Sequence, residues 1–172
     1  VATRTESFLG DMHGRARTMD AELAVDADGA IRALRIESHA ELGAYLARGA
    51  PSTRTGSFVD TISGQYRIPA IHCRVRGAFT NTSPVGSFRG SSRTQTTLAI
   101  ERVVDLAAGE VGLDPATFRR RNYIPPEAFP YETPGGEVYD SGAYAEALER
   151  ALDLVEYDRL RERLRTALSP TP

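Results

Sequence analysis

The stretch "DAELAVDADGAIRALRIESHA", residues 20–40, carries the clearest structural pattern in the chain. Apolar and polar side chains alternate on both sides of Asp28 and Gly29, and the apolar set is Leu23, Val25, Ile31, Leu34 and Ile36. Alternation with a period of two is typical of half-buried strands, and an Asp-Gly pair between two such runs favours a type I′ turn. This stretch therefore predicts a β-hairpin.

Downstream of the hairpin, "AIHCRVRGAFTN" at residues 70–81 alternates in the same way and predicts a third strand, with Cys73 on its apolar face. The intervening residues 41–69 lose periodicity and gather Gly, Ser, Thr and Pro, which predicts a long loop with a short helix around Val59 to Ile62. At the start of the chain, Val1, Thr3 and Thr5 alternate as residues of a strand do.

The second half of the chain changes to a helical period. Residues 94–113, "TQTTLAIERVVDLAAGEVGL", predict an amphipathic helix from about Thr94 to Val111 that ends near Gly112. Its expected buried positions are Leu98, Ile100 or Val103, and Leu106. Asp114 and Pro115 predict the start of a short helix, and two more helices follow, the first from Asp140 or Ser141 and the last over residues 157–168. The expected fold class is α+β: residues 1–172 form a single domain in which a small mixed or antiparallel sheet packs against two or three helices.

The composition of the chain limits the classes of function and partner that are expected. The 172 residues carry 21 basic and 23 acidic side chains, and a net charge of −2 provides no field that would favour nucleic acid or an anionic membrane. No apolar run approaches membrane length. The single cysteine, Cys73, permits neither an intrachain disulfide nor a thiolate metal cluster, so a reducing, cytoplasmic location is expected. His13, His39 and His72 lack metal-ligand spacing, and no metal site is predicted.

The candidate site is "TNTSPVGSFRGSSRTQ", residues 80–95, between a strand and the start of the long helix. A helix N-terminus exposes unpaired N–H groups, and glycine lets the backbone approach a ligand closely, so the loop is a candidate anion-binding site. Ser92 or Thr94 is the expected helix cap. The alternative is an ordinary capped loop in which Arg89 pairs with a surface carboxylate.

Several ordered strings widen this interpretation: "RTESFLGDMHGRA", "ELAVDADGAIRALRI", "LGAY", "YRIP", "TNTSPVGSFRG", "IERVVDLAAGEVGLDPATFRRRN", "FPYETPGGEVYDSGAY" and "ALERAL". From about Arg4 to about Leu152 the chain resembles the molybdenum-cofactor-binding region of the large subunit of molybdenum hydroxylases, the family of xanthine dehydrogenase, aldehyde oxidase and aerobic carbon monoxide dehydrogenase. The resemblance implies that Arg15 orients substrate. It also implies that the molybdopterin cofactor is held by Gly86, Ser87, Phe88, Arg89, Gly90 and Ser91.

Two departures from the family pattern limit the chemistry that the resemblance implies. Xanthine-type members carry an aromatic residue two positions after the loop arginine, where this chain has Ser91. Carbon monoxide dehydrogenases carry a copper-binding cysteine directly after that arginine, where this chain has Gly90. Stacking of a purine and oxidation of carbon monoxide are therefore not expected.

The resemblance implies a part of an oxidoreductase. The chain is expected to bind part of the molybdopterin cofactor and to line the substrate site, together with the remaining large-subunit segments and with iron-sulfur and flavin subunits. The glutamate that activates the metal-bound hydroxide in the family lies in a segment that these residues do not match. The isolated chain is therefore expected to retain no cofactor and to be inactive. The alternative is a stand-alone, non-catalytic binding or interaction module.

Overall fold

A computed structural model describes residues 1–168. The first half contains α1 (Arg4–Gly10), β1 (Arg17–Val25), β2 (Ile31–Gly43), α2 (Ala50–Arg54), α3 (Gly56–Asp60) and β3 (Ala70–Phe79). The second half contains α4 (Arg93–Glu110), α5 (Pro115–Asn122), a short 3-10 turn (Pro126–Ala128), β4 (Tyr131–Glu132), β5 (Val138–Tyr139), α6 (Tyr144–Leu154) and α7 (Tyr157–Leu168). None of these helices is both long and apolar enough to cross a membrane.

The main sheet has three strands in the order β1-β2-β3. Strands β1 and β2 are antiparallel, and Leu23 lies opposite Leu34. Strands β2 and β3 are parallel, and Ile36 lies opposite Cys73. A parallel pair needs a crossover connection, which here is residues 44–69 with α2 and α3. The α+β class and the mixed sheet are confirmed.

The predicted hairpin is confirmed, but its predicted turn type is wrong. A type I′ turn needs positive φ at both central residues, whereas Gly29 has a φ of 86° and Asp28 has no positive φ. The Gly29 amide donates to the carbonyl oxygen of Asp26 at 2.9 Å, and the Asp26 amide donates to that of Ala30 at 2.9 Å. The turn is therefore of the longer kind in which glycine takes the single left-handed position.

Helix α4 lies where the sequence predicts it, but it buries a different face. Ile100 and Val104 are buried in the core, whereas Leu98 is 63% exposed and Leu106 is 52% exposed. Each residue turns an α-helix by about 100°, so Leu98 points about 200° away from Ile100. The predicted burial of Leu98 and Leu106 is therefore wrong, because the broad apolar stripe contains two faces and only one of them meets the core.

The segment 44–69 is more ordered than predicted. It forms α2 and α3 and supplies four of the most deeply buried side chains, Phe58, Ile62, Tyr66 and Ile68. These side chains pack with Ile36 of the sheet and Ile100 of α4 in one hydrophobic core. The segment has no regular period because its apolar residues come from short helices and turns that meet the core at different angles.

Two further elements, α1 near the start of the chain and α6 in its second half, differ in detail from the sequence prediction. Residues 4–10 form a helix and not a strand, because Thr3 and Glu6 form a reciprocal capping box. In this box the Glu6 carboxylate accepts from the Thr3 amide at 2.7 Å. Helix α6 begins at Tyr144 and not at Asp140 or Ser141, because residues 131–139 form a two-stranded β4–β5 hairpin first.

Candidate functional site

The predicted loop lies against the chain segment that precedes β1. His13 pairs with Val85 in a parallel bridge. The His13 amide donates to Pro84 O at 3.0 Å, and the Gly86 amide donates to His13 O at 2.9 Å. Gly86 is buried there, and a Cβ at this position would lie 2.8 Å from the sulfur of Met12. This close contact brings the "HGR" string and the loop, separated by more than 70 residues in sequence, to one place.

Arg15 is the centre of this arrangement. Its Nη1 donates to the carbonyl oxygen of Ser91 at 3.2 Å and also to the hydroxyl of Thr94. Its Nη2 donates to the carbonyl oxygen of Phe88 at 3.5 Å and also to that of Arg89. The guanidinium carbon lies 5.4 Å from the centre of the Phe88 ring. The structure therefore places Arg15 in contact with the loop that carries the other predicted site residues.

Only some backbone N–H groups of the loop form hydrogen bonds within the described chain. The Ser91 amide donates to Phe88 O at 2.8 Å, and the Arg93 amide donates to Gly90 O at 2.9 Å. The amides of Ser87, Phe88, Arg89 and Gly90 form no hydrogen bond to any part of residues 1–168, and all four residues are exposed. Consecutive free N–H groups beside a helix N-terminus form a concave donor set that suits an anion.

Neither predicted cap closes this end of α4. The Ser92 hydroxyl donates to the carbonyl oxygen of Thr53 in α2, and the Thr94 hydroxyl accepts from Arg15. Ser92 occupies the N-cap position without a side-chain hydrogen bond to the helix. Ser92 therefore takes the predicted N-cap position, but the expected capping hydrogen bond is absent from the described residues because both hydroxyls bond to neighbouring segments.

The backbone at the site is strained at two non-glycine residues. Arg15 has a φ of 74° and Ser91 a φ of 48°, and residues held in such conformations cost about 1–3 kcal/mol each. The Ser91 hydroxyl is also buried and has no hydrogen-bond partner within the described chain. Gly90 has a φ of 85°, which glycine tolerates without this cost. Strain and an orphaned hydroxyl in one loop are features of sites built around a ligand.

Two arginines behind the loop, the buried Arg54 and the half-buried Arg17, were not singled out from the sequence. Arg54 is only 3% exposed and donates from Nη2 to the carbonyl oxygen of Ala16 at 2.7 Å. Arg17 donates from Nη1 to the Ser38 hydroxyl at 2.8 Å and lies 4.2 Å above the centre of the Phe58 ring. Neither guanidinium forms an ion pair with a carboxylate anywhere in the part of the chain that the structure describes.

This pair places positive charge beneath the site without a direct ion pair in residues 1–168. Burial, together with the charge of Arg54, lowers the pKa of Arg17 to about 10. Burial also lowers the pKa of Arg54, an effect that nearby Glu41 opposes and nearby Arg15 reinforces. The lowered pKa values of Arg17 and Arg54 mean that their charged forms are destabilised here. A nearby anion would therefore be attracted to these two guanidinium groups. The alternation of β1 places Arg17 on the inward face of that strand, but no periodicity marks Arg54, because its burial depends on how α2 packs against β2.

The side chain of Arg89 bears on the alternative that the loop is an ordinary turn. Within residues 1–168 its guanidinium forms neither an ion pair nor a hydrogen bond, and the residue is exposed. The surface carboxylate that this alternative requires is therefore not present in the described chain. No cluster of three or more His, Cys, Asp or Glu side chains in these residues has a metal-binding arrangement.

The fold is a mixed α+β domain, and the loop between its edge strand β3 and helix α4 carries backbone amides with no partner in residues 1–168. The sequence profile of the family described as the molybdopterin cofactor-binding domain matches residues 1–123. The chain belongs to this family, and the resemblance seen in the sequence is confirmed.

Individual relatives agree with this assignment. The chain is 41% identical over 163 residues to the carbon monoxide dehydrogenase large chain of Hydrogenophaga pseudoflava, covering 94% of this chain and 20% of the relative. It is similar to the crystal structure of quinoline 2-oxidoreductase from Pseudomonas putida 86, with a TM-score of 0.90 and 31% identity over 97% of this chain and 21% of that one. The chain is also similar to the structure of reconstituted carbon monoxide dehydrogenase from Oligotropha carboxidovorans, with a TM-score of 0.82 and 36% identity. This match covers 90% of this chain and 19% of that one. The chain thus spans about a fifth of the length of these relatives.

Proposed function

We propose that this domain forms part of the molybdopterin site of a molybdenum hydroxylase large subunit, and that its loop of residues 86–91 holds the cofactor. The observation that carries the proposal is the set of free amides at Ser87, Phe88, Arg89 and Gly90, in a chain of the molybdopterin cofactor-binding family. Molybdopterin is anionic and rich in hydrogen-bond acceptors, and exposed amides beside a helix N-terminus are suitable donors for it.

When bound, the cofactor supplies the redox-active metal of an oxidoreductase. The residues of this chain bind and orient it. Gly86 keeps the loop close to Met12 because it lacks a side chain. Arg89 offers a guanidinium with no other partner within residues 1–168, and the half-buried Arg17 and the buried Arg54 add positive charge. Positive charge at short range in a poorly solvated place favours an anionic ligand.

The two residues that follow the loop arginine indicate the class of substrate. Gly90 and Ser91 stand where the resemblance gives carbon monoxide dehydrogenases a cysteine and xanthine-type enzymes an aromatic residue. A substrate that needs neither copper nor a stacking ring after the loop arginine is therefore favoured. The exposed ring of Phe88, which is 65% accessible, provides an apolar surface beside the free amides for such a substrate.

The activity requires more of the protein than these residues. Because the chain spans about a fifth of its relatives' length, we propose that further large-subunit segments complete the site and that iron-sulfur and flavin subunits carry the electrons away. The proposed location is the cytoplasm. We expect no turnover from the 172-residue chain alone, since the resemblance places the activating glutamate of the family in a segment that these residues do not match. Turnover by the purified chain alone, after loading with the cofactor, would contradict this expectation.

Hydrogen exchange tests the proposal directly. A complete large subunit that contains this domain is prepared from a host that makes molybdopterin and from one that does not, and amide exchange is compared by mass spectrometry. Peptides that cover Ser87 to Gly90 should exchange at least tenfold more slowly with the cofactor, whereas those of the β1–β2 hairpin should not change. Equal exchange of the loop in the two preparations would show that these amides do not hold the cofactor. It would then favour the alternative of a non-catalytic module.

A further inference from the structure

We propose that Arg15 is a positioning residue: it holds carbonyl groups of the loop inward and thereby turns the amides of the exposed Arg89 and Gly90 outward. This inference rests on the proposed function of the same loop and gives Arg15 a role other than orienting substrate. Three carbonyl oxygens of the loop, those of Phe88, Arg89 and Ser91, accept from its guanidinium.

The direction of the amides follows from peptide geometry. In a trans peptide the carbonyl of one residue and the N–H of the next point to opposite sides of the chain. The carbonyls of Phe88 and Arg89 face Arg15, so the amides of Arg89 and Gly90 face away from it. Neither of these two amides donates to another group within residues 1–168. The guanidinium therefore determines on which side of the loop the free donors lie.

Hydrogen bonds to the loop and to Thr94 use almost all of the N–H groups of the Arg15 guanidinium. A guanidinium has five N–H groups, four of them on the two terminal nitrogens. The terminal nitrogens have four acceptors, which are the carbonyl oxygens of Phe88, Arg89 and Ser91 and the hydroxyl of Thr94. Only the Nε–H remains for a ligand. Arg15 therefore has little capacity to bind a substrate while it holds the loop.

The backbone of Arg15 supports the same assignment. Its φ of 74° is a left-handed conformation that costs a non-glycine residue free energy. The bridge between His13 and Val85 holds the preceding segment beside the loop, and from there the guanidinium reaches both the loop carbonyls and the Phe88 ring. A strained conformation that persists beside a ligand loop is a recognised mark of pre-organisation.

The substitution Arg15→Lys separates geometry from charge. Lysine keeps the positive charge, but its ammonium is a compact group with three donors and cannot span four acceptors in a plane. A role limited to charge would survive this change, whereas a positioning role would not. Arg102→Lys is the matched control, because Arg102 is exposed on α4 and has no ion pair among the described residues.

The experiment uses the complete large subunit with and without cofactor, and measures amide exchange together with molybdenum and pterin content. In Arg15→Lys, the protection that the cofactor gives to Arg89 and Gly90 should fall at least tenfold and cofactor content should fall with it. Arg102→Lys should match the parent. If the parent loop is protected and Arg15→Lys is protected equally, the positioning role is wrong and the proposed function stands. If the parent loop is not protected, the proposed function itself fails.

A folding defect is detected in the same data. Peptides that contain Ile100 and Val104 lie in the core of α4 and should exchange slowly in every variant. If Arg15→Lys loses this protection, Thr94→Val is used in its place, because it removes one acceptor of the guanidinium from an exposed position. Thr97→Val, which removes an exposed hydroxyl bonded only to its own helix, is the control. Full cofactor protection in Thr94→Val would overturn the positioning role.

Discussion

Arg15 and Ser91 meet at one hydrogen bond, and each is a non-glycine residue in the left-handed region. Nη1 of Arg15 donates to the carbonyl oxygen of Ser91 at 3.2 Å, while φ is 74° at Arg15 and 48° at Ser91. Two strained residues in direct contact indicate that the contact is maintained against local preference. The surrounding bridge and helix therefore compensate for this strain.

Ser91→Gly should raise stability. Glycine accepts a φ of 48° without cost, and the substitution removes a buried hydroxyl that has no partner in residues 1–168. After allowance for the greater freedom of glycine in the unfolded chain, we expect a gain of about 1 kcal/mol, or roughly 2–4 °C in melting temperature. Ser87→Gly is the control, because Ser87 has no positive φ, and it should lower the melting temperature. A drop in both variants would show that Ser91 is not strained.

Substitutions in α4 should distinguish its two apolar faces. Val104→Ala removes two methyl groups from a fully buried position and should lower the free energy of unfolding by about 2 kcal/mol. Leu98→Ala and Leu106→Ala change exposed positions and should lower it by less than about 0.5 kcal/mol. Urea unfolding followed by circular dichroism measures all three. A large loss at Leu98 would mean that the other face of α4 is the buried one.

The same helix shows why the sequence predicts some features and not others. Its limits are set locally, since Gly112 adopts a φ of 69° and the Leu113 amide closes the helix on the Ala108 carbonyl at 2.9 Å. Its buried face is set by distant residues such as Phe58, which no local period reveals. The same division holds at the site. The loop and Arg15 are carried by ordered sequence strings, whereas the burial of Arg54 depends on the packing of α2.

Asp114 should make the stability of the domain depend on pH. Burial alone would raise the pKa of its carboxyl, but hydrogen bonds from the Thr117 amide, the Tyr157 hydroxyl and the Ala116 amide outweigh burial and lower it below 3.8. A pKa lowered by folding means that the folded state favours the carboxylate. This contribution is complete above about pH 3.8, the value of the unfolded chain, and is lost as pH falls through the folded pKa.

Asp114→Asn tests this dependence. At pH 7 the variant should lose roughly 1 kcal/mol, because the charged cap of α5 and the charged acceptor of Tyr157 are both replaced by a neutral group. Near pH 3 the difference from the parent should shrink. Tyr157→Phe removes only one of the hydrogen bonds and should show a smaller loss at pH 7. A constant difference between Asp114→Asn and the parent at both pH values would contradict the prediction.

Arg89→Gln should reduce cofactor retention without affecting the fold. The Arg89 guanidinium is exposed and has no partner among residues 1–168, so its loss should change the melting temperature by less than about 1 °C. If it pairs with the anionic cofactor beside the free amides, the loss of a charge-assisted contact corresponds to about 1.5–3 kcal/mol, or a tenfold to hundredfold weaker retention. Molybdenum and pterin are measured per complete large subunit after gel filtration.

Two controls make the result specific to the loop. Arg102→Gln removes an exposed arginine without an ion pair in the described residues, from the outer face of the same helix that follows the loop. It should retain cofactor as the parent does, because a general loss of positive charge has little effect at a distance beyond about 10 Å in salt. Arg89→Lys keeps the charge but not the planar donor pair, and it should lie between Arg89→Gln and the parent. Full retention in Arg89→Gln would mean that the backbone amides alone hold the cofactor, and that Arg89 has to be removed from the proposed site.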